Sequence, residues 1–390
     1  MKIRLLATIV ALVVATAGHA LAQPTPAVPL EISVIDSMTG PGAYLGKSEV
    51  EALHLAEGYV NKTGGIRGRP IKFVVADDQT NPVLAVQLMN QAIGRKASVV
   101  IGPTLTSTCA AIVPIVKTGP VNYCMSPGIE APKGSYVFSA SDSSNDQAIV
   151  VMRYFRQKNW KRVALITSTD ATGQVLNAAF AAAAAMPENA TMKLVSVEHF
   201  NPTDISVTAQ IANMKAASPQ AIIAWSTGTQ FGTLLHGISD AGLNLPVAAG
   251  TGNMSNDQLS QYVSFMPSVL LFPGLQSLVE GGDVPPAVRA AQTVYFNTFR
   301  AAGITPGFLH NLAWDPAMLI VAALRANGPD ATPEQIRSFI AGQRRWAGIN
   351  GIYDFVERPQ RGVGPAATVI DQWDASKGTF TVVTKPAGYL

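Results

Sequence analysis

What most restricts the fold of this chain is a repeated alternation of short apolar runs with amphipathic stretches. "EISVIDSM" is rich in β-branched residues and leads into the turn-forming "TGPGAYLG". A helix is predicted from about 48 to 60, where Leu53, Ala56 and Val60 fall at helical spacing. It stops at "NKTGGIRGRP", whose Gly64 and Gly65 suit a helix C-terminus followed by a turn. "IKFVVADD", "ASVVIGP" and "PVNYCMSPG" read as further strands. Helices are predicted between them, one with Leu84, Leu88 and Ala92 on one face and one over "TLTSTCAAIVPIV". Continuously apolar strands alternating with helices fit a parallel sheet covered on both faces.

After "SASDSSNDQAIVVMRYF" the rhythm restarts. "RVALITST", "MKLVSVEHF", "AIIAWST" and "PVAAGTG" are strand-like, and "GQVLNAAFAAAAAM", "AQIANMKAA" and "FGTLLHGISDAG" helical. From about 276 three helical stretches follow, and the tail after 350 is again β-like. The length exceeds what one core usually serves. The expectation is therefore α/β, with two Rossmann-like βα lobes joined by a multi-strand hinge. The first lobe is predicted over 23–146 plus 276–351 and the second over 147–275 plus 352–390. Several chain crossings side by side are how a hinge is built.

The N-terminus adds a compartment. Lys2 and Arg4 precede the apolar "LLATIVALVVATA", and Ala20-Leu21-Ala22 has the small-residue spacing of a cleavage site. That order reads as a signal peptide over 1–22 and predicts export to the periplasm. The run is shorter than the roughly 20 apolar residues a span needs. No cysteine stands beside the site to take a lipid. Net charge is +3, and removal of Lys2 and Arg4 lowers it to +1; no basic run occurs. This argues against nucleic acid as a partner.

Two cysteines, Cys109 and Cys124, form an even pair that an oxidising compartment would allow to bridge; two buried free thiols are the alternative. The five histidines show no paired spacing, so no metal or other cofactor is expected. There is no G-x-S-x-G, no G-x-x-x-x-G-K and no H-E-x-x-H, and no enzymatic activity is predicted.

Taken in order, "MTGPGAYLG", "VNKTGGIRGRPIKFVVADDQTNP", "VVIGPTLTST", "MSPGIEAP" and "AGL…PVAAGTG" carry a resemblance over essentially the whole mature chain. It resembles the branched-chain amino-acid-binding family, the type I periplasmic solute-binding proteins of ABC importers. The resemblance implies a small-molecule ligand held between two closing lobes, a membrane permease as partner, and a monomer. In "GPTLTSTCAA" a strand gives way to a helix, and free amides there favour an anion. Thr104, Leu105, Thr106 and Ser107 occupy this segment, and Thr106 falls at the family's carboxylate-binding serine. The same hydroxyls also suit helix capping.

The resemblance further implicates Tyr44 and Leu45 in the first loop, and Gly128, Ile129 and Glu130 in "SPGIEAP", where Glu130 equally suits an ordinary solvent-facing loop acid. In the second lobe it points to Thr172 and Thr227, which stand where amino-acid binders often carry tyrosine; Trp225, two residues before Thr227, suits either the cleft or the core of the lobe. Gly252, followed by Asn253, replaces the glutamate that pairs with a ligand ammonium. A buried ammonium without a carboxylate partner costs several kcal/mol. The expected ligand is therefore a carboxylate without an α-amino group, an aromatic or other hydrophobic acid. Two alternatives stand: Glu130 supplies the missing charge to an amino acid, or the protein senses its ligand rather than importing it.

Overall fold

A computed structural model describes residues 28–275, 280–282 and 284–390, and the expected signal peptide lies outside them. The first sheet contains β1 (Leu30–Asp36), β2 (Ile71–Asp77), β3 (Val99–Ile101), β4 (Val121–Cys124) and β5 (Val137–Ser139). All are parallel, in the order β2-β1-β3-β4-β5. The helices that follow β1, β2 and β3 are α1 (Ala43–Lys62), α2 (Pro82–Gly94) and α3 (Thr106–Ile112). α1 begins five residues before the expected start, at the Gly42 turn. α2 opens where Asn81 accepts from the amides of Val83 and Leu84, with Pro82 at the first helical position.

α4 (Ser144–Gln157) carries the chain into the second sheet, opened by a reciprocal cap between Ser143 and Asp146. There β6 (Arg162–Ser168), β7 (Lys193–Phe200), β8 (Ala221–Trp225), β9 (Val247–Ala249) and β10 (Leu270–Leu275) run parallel in the order β7-β6-β8-β9-β10. This repeats the first sheet's strand order. Between these strands run α5 (Ala171–Ala184), α6 (Thr208–Ala216), α7 (Gln230–Asp240) and the short α8 (Asn256–Ser260).

The helices α9 (Pro286–Ala301), α10 (Phe308–Asn327) and α11 (Pro333–Ala341) return to the first sheet. Tyr295, Phe299, Trp314, Ile320 and Ile336 share one core with Ile32, Val34 and Phe73. A hairpin of β11 (Trp346–Gly348) and β12 (Gly351–Tyr353) follows. Antiparallel β13 (Thr368–Asp374) and β14 (Thr379–Val382) then extend the second sheet beyond β10.

The α/β fold with two βα lobes is thus observed, but residues 352–363 differ from expectation. They were expected in the second lobe, yet Tyr353, Phe355 and Val363 are buried in the first core. Phe355 stands edge-on to Phe138 of β5, and that aromatic packing keeps the chain on the first lobe for another turn. Cys109 and Cys124 are disulfide-bonded, joining α3 to the end of β4.

Two crossings lie against each other. Arg361 donates to the carbonyls of Ser141, Pro127 and Ile129, the last at 2.6 Å. The Thr368 hydroxyl donates to Asp142, and the Ser139 amide to the Gln360 carbonyl at 2.9 Å. The first and last crossings are therefore bound together side by side, as a hinge requires.

Candidate ligand-binding cleft

In a parallel sheet ordered 2-1-3-4-5, neighbouring loops diverge at the carboxyl edge between strands 1 and 3, and ligands bind there. Here both sheets have that order, and their two divergence points face each other. Between them lies a narrow cleft.

From the first lobe it is lined by Leu45, Thr104, Leu105, Thr106, Met125, Ser126, Pro127 and Leu312. Ser144 and Gln147 enter from the start of α4, and Thr172, Leu176, Trp225, Thr227, Thr251 and Gly252 from the second lobe. Leu45, Phe308, Leu309 and Leu312 share a buried cluster with Phe231 and Met254 of the second lobe. The lobes are closed on each other.

The loop after β3 shows why its residues sit where they do. Gly102 has φ +87°, and a Cβ there would lie 1.9 Å from the Ile35 carbonyl oxygen, so only glycine fits. The chain then enters α3 at Leu105, where no side chain caps the helix. The first helical bond runs from the Cys109 amide to the Leu105 carbonyl, at 2.9 Å. The amides of Thr106, Ser107 and Thr108 thus have no acceptor within the helix. Capping was the alternative role for these hydroxyls, and Thr106 does not fill it: its Oγ1 lies 2.9 Å from Ser126 Oγ. Ser144 Oγ, buried at the cleft, has no hydrogen-bond partner.

None of the described residues lining the cleft is charged. The nearest ionisable groups stand one layer back. Asp142 accepts from Gln147 at 3.2 Å and from the hydroxyls of Ser141 and Thr368. Burial pushes its carboxyl up to about 6, against the pull of those donors. Glu49 lies behind Thr104. Among the described residues no three His, Cys, Asp or Glu are placed to hold a metal ion.

Of the residues predicted from sequence, Leu45, Thr104, Leu105, Thr106, Thr172, Trp225, Thr227 and Gly252 meet at the cleft. The others do not line it. Tyr44 reaches across instead: its hydroxyl donates to the Gly252 carbonyl at 2.7 Å and accepts from the Gly228 amide at 3.2 Å. Ser107 faces a neighbouring groove with Gly42 and Asp170. Gly128 backs Thr106, where a Cβ would come within 2.5 Å of Thr106 Oγ1. Ile129 is buried beside the Cys109–Cys124 pair.

Glu130 is turned outward, its side chain 60% exposed and 3.7 Å from Arg361. Arg361 is needed inside for backbone carbonyls, and its charge draws the acid to the rim rather than into the cleft. Asn253 uses its amide to hold the Ser226 carbonyl at 2.7 Å.

Eight lining residues were not anticipated: Met125, Ser126, Pro127, Ser144, Gln147, Leu176, Thr251 and Leu312. The S-x-x-D pattern at Ser143–Asp146 was the available signal for Ser144 and Gln147, since it marks a helix start at the crossing.

Two lobes of the same topology, a hinge of adjacent crossings and an uncharged cleft between facing sheet edges define a solute receptor. The chain belongs to the periplasmic binding protein family, which matches residues 29–378. A relative from Brucella melitensis, the Leu/Ile/Val-binding protein homolog 3, is 27% identical over 59% of this chain and 62% of its own length. The chain thus spans under two thirds of that relative. Among solved structures, a branched-chain amino acid transporter substrate-binding protein from Streptococcus pneumoniae, in complex with isoleucine, superposes with a TM-score of 0.74 at 20% identity, covering 91% of this chain and 98% of that one. A fatty acid ABC transporter substrate-binding protein from Thermomonospora curvata gives 0.74 at 18% identity, covering 92% of each.

Proposed function

We propose that this protein is exported to the periplasm by its first 22 residues, captures a small carboxylic acid without an ammonium group, and presents it as a monomer to the permease of an ABC importer. The observation that carries the ligand class is the lack of any acidic side chain among the described residues lining the cleft. An ammonium enclosed there would lose its water without gaining a counter-charge, at a cost of several kcal/mol. Glu130, the one acid offered as a substitute, points to solvent.

A carboxylate is suited by donors, and donors are present. The amides at the start of α3, the one hydrogen left free by the paired Thr106 and Ser126 hydroxyls, and the unpartnered Ser144 hydroxyl supply them. Leu45, Met125, Leu176, Trp225 and Leu312 provide apolar wall for the rest of the molecule, which favours an aromatic or aliphatic acid. The second reading, an amino-acid receptor, is favoured by the names of relatives such as the Leu/Ile/Val-binding homolog.

Thermal-shift titration with amino acids and their deaminated counterparts separates the two. Leucine is compared with 4-methylpentanoate, and phenylalanine with 3-phenylpropanoate. Ligand that binds only the native state raises Tm. A rise with the deaminated acids and none with the amino acids is expected. The reverse pattern establishes the amino-acid receptor.

A further inference from the structure

Behind the first-lobe wall of the cleft lies a group of acids that ligand capture, as described so far, does not use. Asp36 ends β1 and Glu49 lies in α1, and both are fully buried. Asp36 Oδ1 accepts from the Ser37 amide at 2.8 Å, and Glu49 Oε1 from the Thr104 hydroxyl at 2.7 Å. The other two oxygens, Asp36 Oδ2 and Glu49 Oε2, are buried without a donor. Asp36 faces this stretch of α1: a Cβ at Gly46, one helical turn before Glu49, would lie 3.0 Å from Asp36 Oδ1, which makes the two buried carboxyls neighbours.

Among the described residues no cation is found to balance the pair. Asp77 and Asp78, at the end of β2, add negative charge, and Asp78 accepts from the Ser37 hydroxyl at 2.6 Å. Tyr44 is the neighbouring titratable group on α1 and is neutral. His310 of α10 is occupied on another side of α1 with Glu51, at 3.0 Å. Two apposed buried carboxyls cannot both ionise, and one proton between them gives each orphaned oxygen a partner. Burial raises both groups, which agrees with that count.

The consequence reaches the cleft through Thr104. With the shared proton between the outer oxygens, Glu49 Oε1 remains an acceptor. The Thr104 hydrogen then points back toward Glu49, and only lone pairs of the hydroxyl remain for the cleft. Thr104 lines the same wall as Thr106, two residues along.

We propose that Asp36 and Glu49 share one proton and act as positioning residues for Thr104, making its oxygen an acceptor for a hydroxyl carried by the ligand beside its carboxylate. The ligand class narrows to hydroxy-carboxylic acids. This rests on the carboxylic-acid reading of the cleft. Loss of the shared proton puts a second negative charge behind Thr104, so affinity for the anion falls as pH rises through the pair's titration.

The test is calorimetric, using mandelate against phenylacetate, 3-hydroxybutyrate against butyrate and 4-hydroxybenzoate against benzoate. In the wild type, one hydroxylated acid binds about tenfold or more tighter than its parent, the worth of one good hydrogen bond. Thr104→Val removes that preference and Thr104→Ser keeps it. Glu49→Gln imitates the protonated acid, its Oε1 accepting from Thr104 and its Nε2 donating to Asp36. It keeps the preference but loses the wild-type pH dependence. Equal binding of every pair, a preference surviving in Thr104→Val, or an unchanged pH profile in Glu49→Gln overturns the proposal.

Infrared difference spectra test the proton without any ligand. Asp36→Asn, whose amide can donate to Glu49, is expected to remove one protonated-carboxyl carbonyl band at neutral pH. No loss of that band overturns the pair. If none of the six acids binds, the carboxylic-acid reading fails, and the infrared result alone decides whether the proton is shared.

Discussion

Tyr44→Phe isolates the energy of lobe closure. The Tyr44 hydroxyl is the meeting point of two backbone groups from the other lobe, the Gly252 carbonyl at 2.7 Å and the Gly228 amide at 3.2 Å. Burial lifts the phenol far above its ordinary value, so it remains a neutral donor throughout the working pH range. Phenylalanine keeps the ring against the cluster of Leu45 and Phe231 and deletes only the oxygen. In the open form all three polar groups are free to bond water, so each hydrogen bond contributes a net of about 0.5–1.5 kcal/mol to closure. Two of them total about 1–3 kcal/mol, which weakens ligand binding roughly 5- to 150-fold when closure is linked to binding. Calorimetry gives Kd, small-angle scattering with saturating ligand gives the closed fraction, and urea unfolding checks that stability is retained. A Kd within twofold of wild type, with unchanged scattering, would refute the assignment of Tyr44 as a latch.

Three further outcomes are expected. Thr106→Ala should weaken binding of the carboxylic acid by about 1.5–3 kcal/mol, the range for a hydrogen bond to a charged group, in calorimetry. Replacing Cys109 and Cys124 together by alanine opens a loop with a sequence separation of 15 and should lower unfolding free energy by about 3 kcal/mol in urea titration. Burial raises Asp142 to about 6 and Asp36 to about 7, above the roughly 3.9 of an unfolded chain. The native state then binds more protons than the unfolded one between these values. Stability should therefore fall as pH rises from about 4 to about 7, and Asp36→Asn should flatten that slope.

The alternation of apolar runs and helices made both sheets legible because a parallel strand buried on two faces leaves a continuous apolar signature. Cleft residues that directly follow strands, such as Thr104, Thr106 and Thr227, were legible for the same reason: the strand end fixes their place. Tyr44 and Leu45 were not separable. Adjacent residues at a helix start point in different directions, and the phase depends on α1 beginning at Ala43. Glu130 was open between the cleft and an ordinary loop acid because its orientation is set by Arg361, far along the chain. Leu312 enters from α10, where no local pattern announces the cleft, and Ser144 from a crossing whose S-x-x-D pattern marks only a helix start.

The Arg361 clamp has a mechanical consequence. By gripping the carbonyls of Ile129 and Ser141 on the first-lobe side of the first crossing, it ties the last crossing to the first. Crossings tied in this way have to turn together when the lobes part.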